Sequence, residues 1–135
     1  MAKYVATDHK ITINGTDFSS SLQSVDLTLS ADEVETTAFG GGWRTMTAGL
    51  KSGSLTLNFF QDFGASSVDA TLSGLFGSAA TVVVTPTSTA VSATNPSWSG
   101  TFLVSQYQPF ASSVGDIATL SVTWPSSGTI TRATA

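Results

Sequence analysis

The single histidine of this chain follows an aspartate, Asp8-His9, and 42 of the 135 residues carry a small hydroxyl. Acid, imidazole and hydroxyl are the parts of a nucleophilic triad. That chemistry needs the base oriented by one group and hydrogen-bonded to the other. No Gly-x-Ser-x-Gly elbow presents a serine, and His9 falls near a terminus expected to be loose, so catalysis is not expected of it. Asp32, Glu33 and Glu35 form the densest acidic cluster. On a strand, Glu33 and Glu35 share a face while Val34 points away, which would suit a hard cation or acid–base work. No third acid for a cage lies within reach in sequence. The cluster is expected at a solvated strand edge, or opposite Arg44, Lys51 or Arg132 of a neighbouring copy.

Other motifs lead away from chemistry. Gly49-Leu50-Lys51-Ser52 has leucine where a phosphate loop needs glycine before Lys-Ser. Asn14-Gly15-Thr16 matches a glycosylation acceptor, but Asn-Gly is better read as a hairpin turn. Trp43, Trp98 and Trp124 together would make a carbohydrate-stacking platform. Trp98 and Trp124, however, fall on the apolar faces of strands and are expected in the core. Trp43 follows three glycines, Gly40 to Gly42, and reads as an exposed anchor for a partner's pocket. Without cysteine and with one histidine, no metal site and no cofactor is expected, and the chain does not read as an enzyme.

These residues must be positioned by strands, because the hydrophobic pattern is mostly period two. Lys10 to Ile13 alternates into the Asn14-Gly15 turn. Val25, Leu27 and Leu29 alternate with Asp26, Thr28 and Ser30, and the alternation runs on through Glu35. The glycines then open an aperiodic segment, predicted as a long arm over residues 40–52. Leu55, Leu57 and Phe59 alternate again. Residues 66–76 predict a short helix, with a serine N-cap, Asp69 in the first turn, a stripe of Val68, Leu72, Leu75 and Phe76, and Gly77 as the stop. Thr81 to Thr85 returns to strand. Ser97 to Gln106 and Asp116 to Trp124 are predicted to pair antiparallel, each with one apolar and one hydroxyl face. Ser99, Thr101 and Ser105 lie on the hydroxyl face of the first, and Thr119, Ser121 and Thr123 on that of the second. Thr129 to Thr131 makes a short closing strand. The sum is a single mainly-β domain over residues 1–135, a sandwich or barrel with one helix and a long inter-strand arm.

Composition narrows the role. Charged residues are 10% of the chain, against about 25% in ordinary domains, and the net charge is −4. Five scattered cations exclude the basic footprint of a nucleic-acid binder. No apolar run approaches a membrane span, and the opening residues hold no apolar core of a secretory leader. Residues 70–115 carry no charge at all, and such a surface is expected to be covered by other copies.

The order of these features resembles the major tail tube proteins of long-tailed, siphovirus-type bacteriophages. An acidic strand, Ala31-Asp32-Glu33-Val34-Glu35-Thr36-Thr37-Ala38-Phe39-Gly40, leads into a Gly-rich arm. A polar–apolar strand over residues 49–60, one helix and a C-terminal β-pair follow. The resemblance implies a β-sandwich or barrel assembled as six-membered rings stacked into a tube, a virion tail part built in the host cytoplasm. Strands of every subunit would line a channel for DNA ejection, and a long loop would reach a neighbouring subunit or ring. By that likeness Trp43 and Met46 are apolar anchors of the arm, and Arg44 and Lys51 are mates for Asp32, Glu33 and Glu35. Ser99, Thr101, Ser105, Thr119, Ser121 and Thr123 are the channel-lining candidates. The implied partners are the chain itself, a tape-measure protein and tail terminator or tip proteins, with DNA only in transit and no membrane. The alternatives are a capsid decoration protein or a surface glycan-binding β-sandwich module.

Overall fold

The structure, a computed structural model, describes residue 3 and residues 5–135. Strands β1 (Lys10–Ile13) and β2 (Thr16–Asp17) form a hairpin. Its turn residues Asn14 and Gly15 have φ of 50° and 85°, the left-handed pair that matches the twist of a two-residue hairpin. A single 3₁₀ turn (Ser19–Ser21) leads into β3 (Leu22–Glu35), which pairs with β4 (Met46–Phe60). Helix α1 (Val68–Leu75) and strands β5 (Ala79–Thr85), β6 (Ser97–Leu103), β7 (Thr119–Pro125) and β8 (Thr131–Ala133) complete the order.

Two antiparallel sheets result, one of order β2-β1-β5-β6-β8 and one of order β3-β4-β7. Their facing sides make the core. Ile11, Ile13, Val82 and Phe102 come from the larger sheet; Leu55, Leu57, Phe59, Leu120, Val122 and Trp124 come from the smaller. Each fully buried aliphatic or aromatic side chain contributes roughly 1.5–3 kcal/mol, so this layer, closed by Val68 and Leu72 of α1, holds the fold. Among the described residues, all fifteen buried hydrophobic side chains lie outside residues 19–54. Ile130 locks the sheets together. It lies against Gly53 of β4 and Gly100 of β6: a Cβ at Gly100 would stand 3.0 Å from its Cγ1, and one at Gly53 would overlap its Cδ1.

Three expectations are corrected. β6 and β7 do not pair with each other; β6 joins β5 and β8, and β7 joins β4. Both strands alternate with one buried face, and alternation fixes which face is buried but not which neighbour supplies the ladder. The segment between them crosses from one sheet to the other. The aperiodic segment 40–52 is strand from Met46 onward. At α1, Ser67 holds the N-cap position without a side-chain hydrogen bond, and Phe76 leaves the helix as its C-cap, exposed.

Candidate assembly surfaces

β3 and β4 stay paired beyond the sandwich, from Ser30 opposite Ser52 to Glu35 opposite Met46. Every residue from Thr28 to Ser52 is exposed. At about 3.4 Å per residue, the strand from Met46 to Ser52 projects roughly 24 Å. The arm is therefore a two-stranded ribbon rather than a loop. Its β4 half, Met46 to Ser52, is aperiodic because both faces are wet and no core imposes a period there. The ladder ends at Thr36 and Thr45, and the tip between them carries Phe39, Trp43 and Arg44. Phe39 and Trp43 are 108% and 88% exposed.

Side-chain placement on the arm follows from the register. Glu33 stands opposite Ala48 and Glu35 opposite Met46, while Val34 faces Thr47 on the other side. A bulge sets Gly49 and Leu50 against Asp32 alone. Glycine suits that crossing, since a Cβ at 49 would come within 3.1 Å of both Asp32 Cβ and Val34 Cγ2. Lys51 is opposite Ala31. Neither glutamate meets a cation across the ladder, so Glu33, Glu35, Arg44 and Lys51 all present their charges outward. Among the described residues, no group of three His, Asp or Glu side chains is arranged to hold a metal ion.

Away from the core, the smaller sheet carries a wall of hydroxyls. Its rows run Ser24–Asn58–Ser121, Asp26–Thr56–Thr123 and Thr28–Ser54–Pro125 across the three strands. Asn58 Nδ2 donates to Ser24 Oγ at 2.5 Å, the Thr56 and Thr123 hydroxyls are 3.2 Å apart, and those of Ser30 and Ser52 are 3.1 Å apart. Asp26 is the one charge in these rows. Of the six lining candidates, Thr119, Ser121 and Thr123 belong to this wall. Ser99 and Thr101 face outward on the opposite sheet, and Ser105 lies beyond the end of β6. The set is split because its two strands belong to different sheets. Ser24, Asp26, Thr28, Ser54, Thr56 and Asn58 share this wall, and their alternation gave the same signal as β7. What the sequence lacked was the register that joins them.

The remaining motifs resolve into structural roles. Asp8 accepts hydrogen bonds from the Ser88 N–H at 3.0 Å and the Ser88 hydroxyl at 2.8 Å, which hold its carboxyl below the usual carboxylate range. His9 lines an apolar groove of about 460 Å³ with Val25, Leu27, Leu29 and Trp98. Trp124 is fully buried and donates its indole N–H to the Gln106 carbonyl at 3.0 Å. Trp43 at the arm tip, Trp98 in the groove and Trp124 in the core share no platform. The crossing segment is pinned to α1 through Tyr107, whose hydroxyl donates to Asp69 Oδ1 at 2.5 Å while Gln61 Nε2 donates to the Pro109 carbonyl at 2.8 Å. Burial, then the Asp69 bond, pushes the Tyr107 phenol up.

With this geometry in hand, solved structures give a direct comparison. A chain of the virion of a native gene transfer agent particle superposes with a TM-score of 0.77 at 15% identity, covering 96% of this chain and 98% of that one. The fold is that of a virion chain. A second, from the tail of an empty gene transfer agent particle refined helically with C6 symmetry, gives a TM-score of 0.69 at 18% identity over 91% and 92% of the two chains. No protein-family model matches the sequence, and no curated protein matches it.

Proposed function

We propose that this chain is a structural virion protein that assembles into stacked hexameric rings, the tube of a phage-like tail through which DNA leaves. The observation that carries the reading is the arm, a paired ribbon of exposed residues ending in bare aromatics. A monomer gains nothing from ordering such a ribbon, whereas a copy that receives it buries those aromatics. The fold shared with virion and C6 tail chains supports the same reading.

In this assembly the hydroxyl wall of the smaller sheet faces the channel. DNA grips basic surfaces because each phosphate contact releases counterions. A wall of Ser, Thr and Asn with one aspartate offers hydrogen bonds that water satisfies equally well, so the duplex slides. β3 is an edge strand of that sheet, and ring closure covers such an edge, which otherwise invites uncontrolled pairing. Tape-measure, terminator and tip proteins meet the tube inside and at its ends. The chain needs no cofactor and catalyses no reaction.

Deleting Gly41 to Thr47 tests this reading. The arm contributes no residue to the core, so the variant stays a folded β-protein by far-UV circular dichroism. The tubes expected of the intact chain by negative-stain microscopy are lost in this variant. Normal tube growth by the deletion variant would remove the arm as connector.

A further inference from the structure

The end of the sandwich opposite the arm carries a second bare apolar surface. Phe63 and Phe110 pack with ring centroids 5.7 Å apart, yet remain 57% and 78% exposed. The Gln61 N–H donates to the Ala118 carbonyl at 2.9 Å, which brings Asp62 and Phe63 beside Ile117 and Asp116. Val114 and Ile117 are exposed in the same crossing segment. Phe60 pairs with Thr119 at this end of β4, whereas Met46 marks the arm end. The fifteen residues of β4 separate the two ends by about 50 Å, so the arm tip cannot reach this surface on its own chain.

Charge distinguishes the two ends. Arg44 is the only charged residue between Glu35 and Lys51. From residue 52 to residue 131 there is no cation, and the only charges are Asp62, Asp69 and Asp116. Asp69 is engaged by Tyr107; Asp62 Oδ1 accepts the Gly64 N–H at 2.8 Å, and Asp62 and Asp116 adjoin Phe63 and Ile117 in the chain. One end therefore offers aromatics beside a guanidinium, and the other offers aromatics beside carboxylates.

We infer that the arm tip of one copy docks on this opposite end of the next, with Phe39 and Trp43 against Phe63, Phe110 and Ile117, and Arg44 between Asp62 and Asp116. This rests on the reading that copies stack through the arm, and it names the surface that receives it. Donor and receiver are different patches on one chain, so the contact is heterologous and each copy carries one of each. Such a contact grows without closing on itself along one axis, while the ring closes around it.

The chain has no cysteine, so engineered thiols report this contact cleanly. The full chain with Trp43→Cys and Phe110→Cys, oxidised under tube-forming conditions, yields a ladder of disulfide-linked multimers on a non-reducing gel. Trp43→Cys paired with Thr94→Cys stays monomeric on the same gel. In a second test, Arg44→Glu lowers tube yield at least tenfold, and adding Asp62→Arg with Asp116→Arg restores it; circular dichroism confirms that each variant is folded. Tubes from the intact chain without the disulfide ladder from the first double variant, or without charge-swap rescue, overturn the docking site and leave the tube standing. No tubes from the intact chain overturns both.

Discussion

Thr36 and Thr45 close the neck of the arm. Their hydroxyls lie 2.8 Å apart, the Thr36 N–H donates to the Thr45 carbonyl at 2.8 Å, and the Thr45 N–H donates to Thr37 Oγ1 at 2.9 Å. With no buried side chain between Thr28 and Ser52, these bonds, the Ser30–Ser52 hydroxyl pair and the β3–β4 ladder give the ribbon its shape. Thr45→Val removes one hydroxyl partner, worth about 1 kcal/mol. Amide hydrogen exchange at Thr36 and Thr45 should accelerate roughly fivefold. The urea midpoint of the whole domain should not move, since the core lies elsewhere.

The contact of Ile130 with Gly53 and Gly100 gives the opposite pattern. Gly53→Ala drives a methyl into Ile130 Cδ1 and toward Leu29 Cδ2, 3.3 Å away. Overpacking of this kind costs about 1–3 kcal/mol, read as a lower urea midpoint with an unchanged slope. Pairing it with Ile130→Val, which frees the space, should recover part of the loss. An unshifted midpoint for the single variant would mean that Ile130 moves aside freely.

Tyr107 sets an alkaline limit. Its phenol is held above its ordinary value of 10.0 by burial and by donation to Asp69. In the unfolded chain the phenol ionises near its ordinary value, while the folded phenol keeps its proton. Stability from this group is therefore complete below about pH 10 and is lost as pH rises through the folded value. Tyr107→Phe should flatten the stability profile above about pH 10 and cost about 1 kcal/mol at neutral pH, measured by urea titrations at a series of pH values.

Cations placed on the hydroxyl wall should make it sticky. Thr56→Lys with Ser121→Lys puts two ammonium groups per copy on adjacent rows of the smaller sheet. Assembled tubes of the variant should retain double-stranded DNA near about 50 mM salt and release it near about 200 mM, because each phosphate contact adds to the salt slope. Tubes of the parent chain should retain none at either salt. Equal DNA retention by the two would place this wall outside the channel.

Much of the fold was legible wherever one face of an element is buried. The Asn14-Gly15 hairpin, the alternation of Leu55, Leu57 and Phe59, and the Val68–Leu72 spacing of the helix all record contact with one core. Pairing was not legible. The alternating faces of β6 and β7 fit equally well in one sheet or two, because partner choice is made by long-range register and not by local pattern. The arm over residues 40–52 was legible as a break in the pattern, but its pairing was hidden for the complementary reason, since Met46 to Ser52 has no buried face to impose a period. Trp43 stood out because an aromatic after three glycines has nothing local to pack against. The receiving surface did not, because Phe63, Phe110 and Ile117 are far apart in sequence and meet only where the crossing segment passes the end of β4.

Electron microscopy of the purified chain at high concentration is the most direct measurement. Hollow tubes are predicted, sixfold in end-on view, with the β3-β4-β7 sheet facing the lumen and each arm crossing to the next ring. A chain that stays monomeric at every concentration, by sedimentation and by microscopy, would contradict the tube.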